Sequence, residues 1–222
     1  MLVKKRHRNT ARTAYLVVAL VVMSLFAAYY VVYKPAQKPS KEPSFAIEII
    51  DGDTFRDALG ETIRLLGIDT PEEGQPYYRE ATVFLDSMLK RGGLRYELDH
   101  RKRDKYGRLL AYIFADGRFV NAELVRSGLA MVYIHSDRDM KNQAYRRLLI
   151  ENQKYARENH LHIWSLPAPE PEEYYIGNRS TLCFHRPNCR SAKSLKPENR
   201  LILHSRDEFL DLGYSPCRNC RP

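Results

Sequence analysis

The chain has 222 residues, 44% of them hydrophobic and 28% charged, with a formal charge of +9. That hydrophobic content excludes a disordered or low-complexity protein, and the length allows one or two small domains. The charge is uneven: residues 45–165 carry 19 Lys/Arg against 19 Asp/Glu, residues 1–44 carry 8 against 1, and residues 174–222 carry 9 against 4. The basic excess belongs to the two ends, which suit phosphate or lipid headgroups, and it says little about a neutral middle.

The first segment, 1–13, is a basic end containing Lys4, Lys5, Arg6, Arg8 and Arg12. Residues 14–33 form a nearly unbroken apolar run of 20 residues, roughly what an α-helix needs to cross a bilayer core. A single-span anchor is the expectation. A cleaved signal peptide is the competing reading, but its apolar region is about 7–15 residues long and ends at a small-x-small site. Here the small pair Ala27-Ala28 lies inside the run, before Tyr29 and Tyr30. The basic residues before the span favour a cytoplasmic N-terminus, which places everything downstream outside the cell membrane. Residues 34–44, rich in Pro and Lys, read as an extended tether.

In the middle, Phe45–Arg56 and Thr62–Ile68 read as strands, Glu73–Arg91 as a helix and Leu94–Asp99 as a strand. Leu109–Val120 reads as a hairpin turning at Asp116-Gly117. Asn121 is expected to cap a short helix through Ser127 that stops at Gly128. Ala130–His135 is strand-like, and Asp137–Asn159 is a longer amphipathic helix. This order fits a five-stranded Greek-key barrel with helices. Residues 166–173, Leu-Pro-Ala-Pro-Glu-Pro-Glu-Glu, then form a second linker before a C-terminal module at 174–222.

Three short strings carry the chemistry: Asp51-Gly52-Asp53-Thr54, Arg64-Leu65-Leu66-Gly67-Ile68-Asp69-Thr70-Pro71-Glu72, and Asp104-Lys105-Tyr106-Gly107-Arg108. Taken singly, the aspartates read as turn and cap residues and the arginines as surface ion pairs. Together, two arginines, two hard-oxygen aspartates and a glutamate at one rim suit phosphoryl transfer, where the protein must position the phosphate and neutralise its spreading charge. With the segment from Asn121 to Ala130 these strings occur in the order D-G-D-T, R-L-L-x-[IV]-D-T-P-E, D-K-Y-G-R and N-x-x-L-V-R-x-G-L-A. Over residues 45–165 the chain resembles the staphylococcal nuclease (thermonuclease) family.

The resemblance implies an OB-fold barrel and an endonuclease that cuts DNA and RNA, leaving 3′-phosphate ends. It also implies a division of labour. Asp53, Asp69 and the Thr70 carbonyl would hold a weakly bound calcium ion, which accepts such a loose oxygen shell. Arg64 and Arg108 would grip the scissile phosphate as bidentate forks, and Glu72 would activate or orient water. Lys105 and Tyr106 match residues that hold a terminal phosphate. Tyr133 falls where a stacking aromatic suits single-stranded or frayed substrate, with core packing as its plain alternative. Two departures are visible: Glu73–Arg79 is shorter than the equivalent loop of the staphylococcal enzyme, and His135 stands where a second tyrosine is expected.

All four cysteines lie in the C-terminal module. Phe184-His185-Arg186-Pro187-Asn188-Cys189 and Cys217-Arg218-Asn219-Cys220 present H-x-x-x-C and C-x-x-C, spacing that favours a structural Cys3His zinc site of His185, Cys189, Cys217 and Cys220. A Cys217–Cys220 disulfide is the alternative in an oxidising compartment, and Cys183 is a neighbouring thiol that competes as a ligand. The segment resembles the zinc-binding domain of the Ada family of DNA repair sensors. His185 stands at that family's methyl-acceptor cysteine, so methyl transfer is not expected here.

The expectation is thus a membrane-anchored, outward-facing, calcium-dependent nuclease with a zinc-stapled module, acting on DNA or RNA, with no protein partner. The alternative is a barrel that holds nucleic acid without cutting it. The complete set Arg64, Glu72, Arg108, Asp53 and Asp69 weighs against that alternative.

Overall fold

The computed structural model describes Met23, residues 47–134, Met140 and residues 142–222. The expected anchor at 14–33, apart from Met23, and His135 lie outside the described residues. Among the described residues no helix is long and apolar enough to cross a membrane.

Residues 44–222 form one compact unit. Its main sheet begins with an antiparallel meander, β1 (Glu48–Ile49), β2 (Thr54–Arg56) and β3 (Thr62–Leu65). β5 (Arg95–Arg103) and β6 (Leu109–Ala115) follow as a hairpin, and β6 pairs parallel to β3. Five strands therefore lie in the order β1-β2-β3-β6-β5, with β7 (Arg118–Phe119) pairing to β6. β4 (Ile68–Asp69) pairs separately with β8 (Met131–Val132). The turn at Asp116-Gly117 has φ values of 50° and 73°, as a tight hairpin with the sheet's twist requires.

Several boundaries differ from the sequence reading, each for a local reason. The first expected strand is broken at residues 50–53, where the Asp51 carboxylate accepts from the Asp53 N–H and folds the chain into a turn. The helix expected from Glu73 starts only at Tyr78: α1 is Tyr78–Leu89, because Pro76 restrains Gln75 and Tyr77 adopts a left-handed φ of 68°. β5 runs past Asp99 through a register shift between Leu98 and Arg103. Its distal half is mostly exposed, so no hydrophobic alternation announces it.

Asn121 is not a cap. Phe119 precedes the helix α2 (Val120–Arg126), and Asn121 is fully buried, accepting from Ile113 N at 3.0 Å and donating to Leu66 O at 2.9 Å. It satisfies backbone groups of two different segments in the core, a role no local pattern signals. The long helix α3 (Gln143–Glu158) starts later than expected, with the Asn142 side chain accepting from Tyr145 N as its true cap.

The C-terminal module has a four-stranded sheet in the order β11-β9-β10-β12. Its members are β9 (Tyr175–Asn178), β10 (Cys183–His185), β11 (Arg200–Leu203) and β12 (Ser215–Pro216), with short helices α4 (Arg190–Lys193) and α5 (Arg206–Asp211). Phe184 and Phe209 stack at 5.0 Å at its centre. The linker at 166–173 does not leave this module loose. Phe184, Phe209 and Leu210 belong to the same apolar core as Phe55, Ile63 and Leu149. The buried Gln153 of α3 accepts from Val132 N at 2.7 Å and donates to Leu210 O at 3.4 Å, while Arg157 pairs with Asp207 and Asp211 of α5.

Candidate active site and zinc cluster

The D-G-D-T string forms a tight turn in front of β2. A Cβ on Gly52 would lie 2.7 Å from Ala81 Cβ and 2.8 Å from Thr70 Oγ1, so only glycine lets the turn seat against α1 and the Thr70 loop. That seating aims Asp53 inward, 5% exposed. Asp53 Oδ2 accepts from Thr70 N at 2.9 Å and Thr70 Oγ1 at 3.2 Å, and Oδ1 accepts from Thr54 Oγ1 at 3.0 Å. Asp69, at the end of β4, lies on the other side of Arg64. The single nitrogen Arg64 Nη2 is 2.9 Å from Asp53 Oδ2 and 3.0 Å from Asp69 Oδ1, and Nη1 donates to Leu65 O at 2.7 Å.

Two carboxylates therefore converge on one cationic nitrogen in a nearly dry setting, with Arg64 only 12% exposed. Burial pushes the Asp69 carboxyl above its usual range, opposed by Arg64 and by Arg218. Asp51, which the sequence reading left as a turn residue, joins the cluster: burial and then the Asp53 charge push it up to about 6. Asp53 and Asp69 offer the hard carboxylate oxygens that a calcium-type cation accepts, and here Arg64 Nη2 and Arg218 Nη2 supply the positive charge beside them.

Raised above its unfolded value of 3.8, Asp51 favours the fold in its protonated form. That contribution is complete below about pH 3.8 and is lost as pH rises through about 6. Asp51→Asn, which keeps the acceptor for Asp53 N, is expected to raise the melting temperature at pH 7 in chelator. After solvent screening the gain is about 1 kcal/mol. Melts at pH 4 should show the two proteins converging, and a gain that is constant with pH would contradict this origin.

Arg108 closes the turn opposite. Its Nε donates to Asp104 Oδ2 at 2.7 Å, Nη1 reaches Thr54 Oγ1 at 3.5 Å, and its guanidinium lies 5.5 Å from the Tyr106 ring centre. Burial pushes the Asp104 carboxyl up, but the Arg108 side chain and the N–H groups of Tyr106 and Arg108 outweigh it and hold it below the ordinary range. Lys105 Nζ stands 4.9 Å over the Tyr106 ring, which is 72% exposed.

A cavity of about 370 Å³ gathers Arg64, Asp69, Lys105, Tyr106, Arg108 and Tyr133. Tyr133 is half-buried at its edge, and burial raises its hydroxyl pKa. Asp53 lies behind Arg64 rather than on the cavity wall. Glu72 stands outside it, 63% exposed, with its N–H on Gln75 Oε1 at 2.9 Å. Thr70 contributes its N–H and hydroxyl to Asp53.

Arg218 was not anticipated at this site. Its Nη2 lies 2.7 Å from both oxygens of Asp69, Nη1 is 3.6 Å from Glu72, and its guanidinium is 5.6 Å from the Tyr133 ring centre. The residue sits inside C-x-x-C, where the cysteines draw attention and the intervening arginine does not.

That C-x-x-C belongs to the second cluster. β10 runs parallel to β12 with Cys183 opposite Ser215 and Phe184 opposite Pro216, which brings the next pair, His185 and Cys217, side by side. The ligand atoms of His185, Cys189, Cys217 and Cys220 lie within 4.8 Å of one another, with His185 Nδ1 3.5 Å from Cys189 Sγ. Edges of a tetrahedral zinc shell with bonds of about 2.0–2.3 Å are roughly 3.3–3.8 Å, so the set needs only a small contraction. Burial lowers the His185 pKa, which keeps the ring neutral as a ligand must be. Burial raises Cys189, but the N–H groups of Ala192 and Ser191 with the neighbouring thiols bring it below the ordinary thiol value. Cys183 stands beside the four but outside the convergent set.

These features define an α+β nuclease-type rim built onto a Cys3His metal-binding module. The family model described as Staphylococcal nuclease homologue matches residues 62–166, and that described as the Metal binding domain of Ada matches residues 170–222. The chain is 37% identical over 125 residues to the thermonuclease of Staphylococcus intermedius, covering 52% of this chain and 72% of that protein. It is 34% identical over 128 residues to the thermonuclease of Staphylococcus hyicus, covering 54% and 73%. It is 35% identical over 141 residues to endonuclease YncB of Bacillus subtilis (strain 168), covering 59% and 62%. The chain belongs to the staphylococcal nuclease family.

Proposed function

We propose that the protein is a calcium-dependent nuclease that hydrolyses phosphodiester bonds of DNA or RNA to 3′-phosphate ends, held at the outer face of a membrane by residues 14–33. One observation carries the reading: Asp53, Arg64 and Asp69 form a single dry charge cluster beside a cavity that also holds Arg108, Tyr106 and Tyr133. We read the five-strand path as the OB-type barrel of this family, with the site at its rim.

Arg64 and Arg108 approach the cavity from two strings far apart in sequence, and a phosphate between them meets positive charge on two sides. Asp53 and Asp69, with Thr70 beside them, would hold the calcium ion, which supplies Lewis-acid polarisation of a phosphoryl oxygen. Glu72, exposed beside Pro71, is reached by water and orients it toward the phosphate. Lys105 and Tyr106 hold a terminal phosphate, and Tyr133 stacks on a base of single-stranded or frayed substrate. The anchor rests on the 20-residue apolar run and the basic residues before it.

Cells expressing the full chain should cut a single-stranded oligonucleotide added outside them in calcium and stop in chelator. Cutting that appears only after lysis overturns the outward placement. Solubilised protein that binds the oligonucleotide in calcium without cutting it overturns the nuclease.

A further inference from the structure

Beside the catalytic cavity lies a second one, of about 430 Å³, within the size range of small-molecule sites. Tyr133 and Arg218 border both. Beyond them the second cavity is walled by the zinc module: the metal-cluster residues His185 and Cys217 with Leu195 on one part of the wall, and the uncharged polar side chains of Asn178, Thr181 and Ser194 on another. Its apolar part suits the face of a base, and its polar side chains suit base edges and sugar hydroxyls. Its one Lys or Arg side chain, Arg218, also lines the first cavity, so a phosphate bound there would lie between the two.

We propose that this second cavity is a nucleotide subsite, which takes the nucleotide next beyond the pair flanking the scissile phosphate, with Arg218 on its phosphate and Tyr133 on its base. The inference deepens the nuclease reading above and rests on it. Cys217 and Cys220 fix the loop that carries Arg218, and Cys217 N donates to Phe184 O at 2.9 Å, so the module's own fold sets the arginine's reach. Nη2 of Arg218 contacts both oxygens of Asp69, and Nη1 stands 3.6 Å from the exposed Glu72. The Arg218 side chain is 61% exposed, so a phosphate reaches its guanidinium from the solvent side while Asp69, 22% exposed, holds it from the other. The Arg218 guanidinium lies 5.6 Å from the Tyr133 ring centre, so a cation for a phosphate and an aromatic face for a base stand side by side at the border of the two cavities.

The test uses the zinc-loaded full chain with a thymidine dinucleotide, which fills the positions around one phosphodiester, and a thymidine hexanucleotide. The wild type should favour the hexanucleotide by about tenfold or more in kcat/KM. Arg218→Ala, and Ser194→Trp, which fills the cavity, should each reduce that preference about tenfold through KM for the hexanucleotide, and Arg218→Lys should reduce it less. An equal fall on both substrates would place Arg218 in the catalytic cavity alone and overturn the subsite. A rise in rate for Arg218→Ala would make the guanidinium a plug on Asp69, and that also overturns it. Zinc content per chain checks that each variant keeps its fold, and Ser194→Trp decides should Arg218→Ala lose zinc. Should the wild type cut neither substrate, the nuclease reading fails by itself. Fluorescence anisotropy of the labelled hexanucleotide, without chelator so that zinc stays bound, then decides the subsite: tenfold weaker binding by Arg218→Ala supports it, and unchanged binding overturns it.

Discussion

Arg108→Ala is expected to lower kcat for single-stranded DNA by about 10³-fold while leaving the fold intact, the scale of losing one preorganised charge donor at a transition state. Arg108 suits the experiment because its structural ties are slight. It closes the turn through Asp104 Oδ2 at 2.7 Å, with the two side chains 31% and 15% exposed, a pair worth about 1 kcal/mol or less. Arg64 would be a poor choice. Its Nη2 holds Asp53 and Asp69 together, so removing it leaves the buried Asp53 without its cation and costs about 3–5 kcal/mol of stability, while Asp69 keeps Arg218. A lost rate there would not separate chemistry from folding. Arg108→Lys should recover little, since one ammonium cannot present a fork to two phosphoryl oxygens. Steady-state kinetics beside a thermal melt make the check, and a loss below tenfold with an unchanged melt would remove Arg108 from the chemistry.

The second large effect is on metal content. The full chain should carry one zinc per molecule, and His185→Ala or Cys217→Ser should abolish it, whereas Cys183→Ala should not, because Cys183 lies outside the convergent four. Structural zinc contributes on the order of 10 kcal/mol or more to small modules, so its loss should unfold residues 174–222. The damage should extend further, since Phe184, Phe209 and Leu210 share a core with Phe55 and Ile63, and Gln153 ties Val132 to Leu210. Hydrogen exchange should show lost protection in α3 as well as in the module. Mass spectrometry finding no zinc and two disulfides would overturn the assignment.

Much of the candidate site was legible because its chemistry sits in unbroken strings. The two aspartates, Glu72 and both arginines each fall inside one of those strings, and Gly52 lets the turn that carries Asp53 seat against Ala81 and Thr70. Likewise H-x-x-x-C and C-x-x-C announce a metal cluster because ligand geometry limits the spacing of its donors. The hairpin turn was legible for the same kind of reason, since Asp-Gly tolerates the positive φ it needs. Asn121 was misread as a cap because a polar residue before an apolar run looks the same whether its partners are local or, as here, Leu66 and Ile113. Arg218 was overlooked for a related reason. Its partner Asp69 is 149 residues away, and nothing between two cysteines marks an arginine for a distant carboxylate.

What the sequence by itself determined is therefore the inventory: which groups exist, in which turns, and which ligand spacings can close around a metal. These depend on backbone conformation and bonding over a few residues, and a linear string encodes them. The tertiary structure alone decided the meetings between strings. It drew Asp53 and Asp69 onto one nitrogen of Arg64, raised Asp51 by burial, and packed the C-terminal module so that Arg218 reaches the catalytic rim. The physical reason is that burial and charge proximity are properties of the shared core, and residues with no local relation enter it together only when the whole chain has folded.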